Sequence, residues 1–165
     1  MSPEVFRAVD DGLALLPRQM DTPRARVMLM AMGLQESRFE HRRQLVGNPP
    51  KPTGPAKGWW QFEQGGGCKG VVTHEASRFW MHHVCQIRGV AFDPAAIWNA
   101  LETDDVLAAA AARLLLFTDP RALPSIGDSE GAWQTYLRIW RPGKPHPQTW
   151  PEMYRRAREA VQELV

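Results

Sequence analysis

From Val27 to Leu34 the chain reads Val-Met-Leu-Met-Ala-Met-Gly-Leu, with no polar side chain in the run. A helix that is apolar on every side is one the rest of the protein surrounds. Thr22-Pro23 supplies its start, a capping hydroxyl followed by a proline at the first helical position. It ends where Gln35, Glu36, Ser37 and Arg38 bring polarity back. The same start signal, Ser2-Pro3-Glu4, opens a first helix to about Leu16, which Pro17 terminates. Further on, Thr73 is expected to cap a helix reaching about Ile87. Asp93-Pro94 opens a short one, and Thr103-Asp104-Asp105 caps an alanine-rich helix over 104–117. Another is expected from about Glu130 to Trp140. Thr149 with Glu152 three residues on has the spacing of a capping box for a last helix.

The interval 40–57 breaks this rhythm. It holds Pro49, Pro50, Pro52 and Pro55 with Gly47 and Gly54, and reads as a proline-rich loop or small flap. Gly58 to Glu63 reads as a short extended segment before a turn at Gly65-Gly66-Gly67. No β-alternation of any length and no internal repeat is visible. The expected architecture is therefore mainly α, a single domain over 1–165 of about seven or eight helices.

Composition narrows the classes. At 165 residues, 44% hydrophobic and 23% charged with a net charge of +2, the chain can bury one core and is not disordered. No apolar stretch is long enough to span a membrane. Cys68 and Cys85 are too few for a disulfide scaffold and are expected to be buried thiols. No Cys/His spacing calls for a metal, and no cofactor is expected. Gly65-Gly66-Gly67 lacks the Lys-Ser/Thr that a phosphate-binding loop needs. His74, His82 and His83 fall on a predicted helix, where structural roles are expected. Seven Trp stand out. Trp is suited to cores and also to stacking on sugar rings or bases.

Glu36 is the most informative residue. At about 100° per residue it shares a helix face with Leu29, Met32 and Gly33. A carboxyl pressed against apolar surface loses hydration, which disfavours its charged form and raises its pKa. The partial negative charge of a helix C-terminus pushes the same way. A carboxylic acid that stays protonated near neutral pH is what protonating a glycosidic oxygen requires.

Two stretches then carry a family resemblance: Gly33-Leu34-Gln35-Glu36-Ser37-Arg38-Phe39 and Gly58-Trp59-Trp60-Gln61-Phe62-Glu63. They resemble the first two motifs of the lytic transglycosylase branch of the lysozyme-like superfamily. In that family a buried helix ends in a Gln-Glu-Ser triplet whose Glu is the catalytic acid, and a glycine-bounded segment ending in Gln lines the groove. The resemblance is specific over about 30–67. It implies a lysozyme-like domain with Glu36 as the acid. Ser37 would bond the acetamido group or the acid, and Gln61 would offer a donor and an acceptor to an N-acetyl group. Trp59-Trp60 stands in place of the usual aliphatic pair. In an extended segment one of the two would point outward as a sugar platform. The family's third motif is matched by Tyr136 alone, within Trp133-Gln134-Thr135-Tyr136, without the Asn that usually follows. Trp133 and Trp140 are expected to face the same groove, and Trp80, Trp98 and Trp150 to fill the core.

A hydrolytic lysozyme needs a second carboxylate. No Asp occurs between residues 22 and 92, and Glu63 is the best-placed candidate. With Glu36 alone, the resemblance implies non-hydrolytic cleavage of the β-1,4 bond between N-acetylmuramic acid and N-acetylglucosamine, giving a 1,6-anhydro product. The expected partner is the peptidoglycan glycan strand, acted on by a monomer or by part of a virion. A second reading is a non-catalytic glycan- or protein-binding module on the same scaffold. The arginine clusters allow a third, a nucleic-acid binder, but they form no recognition helix, so no nucleic acid is expected. Glu4, Arg7, Asp10 and Asp11 interrupt any secretory signal. With no export signal, the expectation is a bacteriophage enzyme. It would be either an endolysin held in the host cytoplasm until a holin releases it, or a virion-associated lysin.

Overall fold

The computed structural model describes residues 1–163. It is mainly helical: eight α-helices and one two-stranded sheet. The helices are α1 (Pro3–Ala14), α2 (Pro23–Ser37), α3 (Lys69–Thr73), α4 (Arg78–Arg88), α5 (Pro94–Leu101), α6 (Asp105–Phe117), α7 (Ser129–Trp140) and α8 (Trp150–Gln162). Ser2, Thr22, Asp93 and Asp104 each accept a backbone N–H of the first turn, as their sequence positions lead one to expect. Among the described residues no helix is long and apolar enough to cross a membrane.

The core sits around α2. Its residues from Val27 to Leu34 are all buried. Helices α6 and α8 pack against it, and α1 packs on α6. The run Ala108 to Ala112 in α6 is buried throughout, so small side chains let its neighbours approach closely. Gly12 of α1 makes that approach possible, because a Cβ there would lie 2.7 Å from the Ala109 Cβ. Arg113 is also buried, and its Nε donates to the Met20 carbonyl at 2.8 Å.

Three local expectations are corrected. The interval 40–57 is not a loop but a β-hairpin, β1 (Arg43–Val46) antiparallel to β2 (Lys51–Lys57), in which Val46 pairs with Lys51 and Arg43 with Lys57. Pro49 and Pro50 lie in the turn between the strands and Pro52 and Pro55 within β2, so an alternation test misses it. The helix expected from Thr73 is two helices, with α3 ending at Thr73 and α4 starting after Ser77. The buried Ser77 hydroxyl holds the join, donating to the Val71 carbonyl at 2.9 Å. Finally, Thr149 precedes α8 but its side chain does not cap it.

Candidate active site

Helix α2 delivers Glu36 to the protein's polar edge and then stops at once. Arg38 and Phe39 both take left-handed backbone conformations, with φ of 58° and 56°, which reverses the chain. Phe39 folds back onto α2 where Gly33 has no side chain: a Cβ there would lie 2.2 Å from the phenyl ring. The ring then meets Trp59 and Trp60 edge-on, at centroid distances of 5.4 and 5.6 Å. The Arg38 guanidinium turns back to the helix end, bonding the Leu34 carbonyl and donating to the Gln35 carbonyl at 2.9 Å.

The Glu36 carboxyl is held by one side chain. The Tyr136 hydroxyl donates to Glu36 Oε1 at 2.5 Å. Burial raises the Glu36 pKa to about 7, and the Tyr136 hydrogen bond opposes that rise. Desolvation wins because a lost hydration shell costs a carboxylate more than one phenol donor returns. Burial and the adjacent carboxylate push the Tyr136 pKa up, so the phenol keeps the proton it donates.

Tyr136 is itself fixed by aromatic packing. Its ring stacks on Trp150 with centroids 5.4 Å apart and planes 11° from parallel. Trp133 packs against both, at 5.4 and 5.5 Å. Trp150 Nε1 donates to the Ser129 carbonyl at 2.9 Å, tying the start of α8 to the start of α7.

The segment after the hairpin is a tight turn, not an extended strand. Lys57 and Phe62 exchange both backbone hydrogen bonds at 2.9 Å, and Gly58 takes φ 78°. The consequence is that Trp59 and Trp60 both point inward, each only 1% exposed. Neither is a sugar platform. Trp60 Nε1 donates to the Leu29 carbonyl at 2.8 Å, and its own carbonyl accepts from Trp140 Nε1 at 2.9 Å. Trp59 Nε1 is buried without a partner, while the Arg42 guanidinium lies 4.4 Å from the Trp59 ring centre.

The other candidate residues divide. Ser37 is buried, and its hydroxyl donates to the Trp59 carbonyl at 2.7 Å. It joins α2 to the turn and does not face a ligand, which corrects its expected role. Gln61 is half-buried at φ 53°, and its Nε2 donates to the Gly58 carbonyl at 2.9 Å. One of its two N–H donors is engaged within the turn, which leaves the other N–H and the carbonyl oxygen to offer outward. Glu63 is exposed at the next turn, where its backbone carbonyl accepts from Gly66 and Cys68. It shares no hydrogen bond with Glu36 or Tyr136. Trp133 is buried in the aromatic stack, not lining a groove, whereas Trp80 and Trp98 are half-buried, not core.

Cys68 and Cys85 are buried free thiols, with pKa values pushed by burial to about 12 and about 11. His74 Nδ1 accepts from the Ala76 N–H, and His82 packs on Phe92. Among the described residues no group of His, Cys, Asp and Glu is placed to hold a metal ion. A concavity of about 420 Å³ lies away from Glu36, between α1, α6 and the end of α4. Its charges are largely paired: Arg88 with Asp104 at 3.0 Å, and Glu4 and Asp105 with Arg42 at 3.0 and 2.8 Å.

Sequence reasoning places Gln35 in the Gln-Glu-Ser match without a role of its own, and misses three contributors: Thr149, which bonds Gln35, Arg38 at the helix end, and Trp150 under Tyr136. Of these three, Arg38 carries a local signal, a cation just past a helix C-terminus. Comparison with family models, curated proteins and solved structures returns no match.

Proposed function

We propose that the chain cleaves the β-1,4 bond between N-acetylmuramic acid and N-acetylglucosamine in peptidoglycan, with Glu36 as general acid on a lysozyme-like scaffold. The observation that carries this is a single carboxyl at the end of a buried helix, raised to about 7 and oriented by Tyr136. A carboxyl titrating there is protonated often enough to give a proton at neutral pH and basic enough to take one back.

The lytic transglycosylase course fits a lone carboxyl. Glu36 donates its proton to the glycosidic oxygen as the bond to C1 breaks. The sugar's acetamido oxygen stabilises the cation at C1. The C6 hydroxyl then loses its proton to the Glu36 carboxylate, and O6 bonds C1. One proton leaves Glu36 and one returns, and no water is consumed. The hydrolytic alternative asks for a second carboxyl roughly 5–9.5 Å from the first. Glu63, its candidate, is exposed.

Clearing of purified cell walls by wild type and by Glu36→Gln tests the assignment. Clearing by wild type alone is expected, and equal clearing by both overturns it. Mass spectra of the products read the course, since anhydro ends are one water lighter than reducing ends. Binding of glycan without cleavage by the wild type would instead identify a non-catalytic module.

A further inference from the structure

Thr149 declines the role its position offers. It stands at the N-cap of α8, with Glu152 three residues on, yet its side chain makes no cap bond. Glu152 is engaged with Arg155 at 2.6 Å instead. An N-cap bond ordinarily stabilises a helix. The hydroxyl is used elsewhere: Thr149 Oγ1 donates toward Gln35 Oε1 at 3.0 Å, with the His146 carbonyl a second acceptor at 3.1 Å. The Gln35 amide completes the join, its Nε2 donating to the His146 carbonyl at 3.1 Å. That bond sets the amide's orientation, so Oε1 faces Thr149 as an acceptor.

The two residues are 114 apart in sequence, and one of them adjoins Glu36. Beyond Thr149 the chain enters α8 at Trp150, whose ring supports Tyr136. Tyr136 reaches Glu36. The contacts form a closed circuit, Gln35 to Thr149, Trp150, Tyr136 and Glu36, beginning and ending on neighbouring residues of α2. The segment so fastened contains Pro142, Pro145 and Pro147, which have no N–H and a fixed φ, so it resists rearrangement once pinned.

We propose that Gln35 and Thr149 form a clasp that seats the 142–148 segment on the end of α2 and thereby holds Tyr136 against Glu36. Both are positioning residues, and the inference rests on the reading of Glu36 as the acid. Tyr136 from α7 is the ionisable group bonded to the carboxyl, Arg38 at the end of α2 acts on Tyr136, and His146 supplies the clasp's carbonyl. Opening the clasp alters none of their charges and loosens the Tyr136 hydrogen bond, the influence that lowers the Glu36 pKa.

Thr149→Val keeps the side chain's shape and removes the hydroxyl, while Thr149→Ser keeps the hydroxyl. Thr149→Val is expected to lower kcat about 5–10-fold with KM unchanged, by misplacing the reacting group. It is also expected to shift the alkaline limb of activity up by roughly 0.5–1 pH unit, as the Tyr136 hydrogen bond weakens. Thr149→Ser is expected to restore both. A carbon-13 titration of the Glu36 carboxyl, without substrate, reads the same shift independently of cleavage. If wild type cleaves nothing but the titration moves in Thr149→Val and returns in Thr149→Ser, the clasp stands and the catalytic reading falls. An unmoved titration in Thr149→Val, or equal impairment in the two variants, overturns the clasp.

Discussion

The Tyr136 hydroxyl reaches Glu36 Oε1 at 2.5 Å from exactly one hundred residues away, and it works against the burial that raises the carboxyl's pKa. The acid's strength is thus a balance between a desolvated position and one donor.

Removing that donor tips the balance. Tyr136→Phe leaves the burial and deletes the opposing hydrogen bond, so the Glu36 pKa is expected to rise above about 7. The alkaline limb of activity should move up while kcat falls about tenfold, because the carboxyl is less well oriented. A pH–rate profile checks it. A limb that stays in place or moves down would show that Tyr136 does not set the acid's strength.

A raised acid also costs stability. The folded carboxyl holds its proton to about pH 7, whereas the ordinary value is 4.5. Between those values the folded state binds more protons than the unfolded one, so stability falls as pH rises through that window. Below it there is no penalty, and above it the penalty is complete at about 3–4 kcal/mol. Glu36→Gln, which still accepts from Tyr136, should therefore melt higher than wild type at pH 8 and not at pH 4. Equal melting temperatures at pH 8 would contradict the burial of the charge.

Ser37 separates structure from substrate contact. Ser37→Ala leaves the Trp59 carbonyl without its donor and should cost about 1–3 kcal/mol. The activity of the folded fraction should be unchanged in KM. Denaturant melts and steady-state kinetics on one preparation distinguish this from a role in binding the acetamido group, which would raise KM.

The adjacent tryptophans offer a matched comparison. Trp60→Phe breaks the bond to the Leu29 carbonyl, whereas Trp59→Phe removes an N–H that has no partner. Both lose similar ring volume. Trp60→Phe should be the more destabilising by about 1–2 kcal/mol, measured by denaturant unfolding.

Much of this arrangement was readable from local pattern. The apolar run of α2, its Thr22 start and the polarity returning at Gln35 locate Glu36, and its desolvation follows from the face it shares with Leu29 and Met32. Tyr136 came from resemblance, not from spacing. What stayed hidden depends on long-range pairing. The hairpin lacks visible alternation because β1 is only four residues long and β2 holds Pro52, Gly54 and Pro55. Period-two logic fails at Trp59 and Trp60 because they lie in a turn whose Gly58 and Gln61 have positive φ. A capping-box pattern at Thr149 describes only its own helix, whereas its partner is Gln35.

The engagement of Ser37 with the Trp59 carbonyl divides labour within the site. On the proposed reading, the residue beside the acid has no hydroxyl proton left for a sugar. Recognition of the N-acetyl group then falls to surfaces beyond α2, with the Gln61 carbonyl oxygen among the groups still free to serve. Bond cleavage and sugar reading belong to different pieces of chain. Within the turn at 58–62 only Gln61 is then open to exchange to change which glycan is accepted, because Trp59, Trp60 and Phe62 are buried.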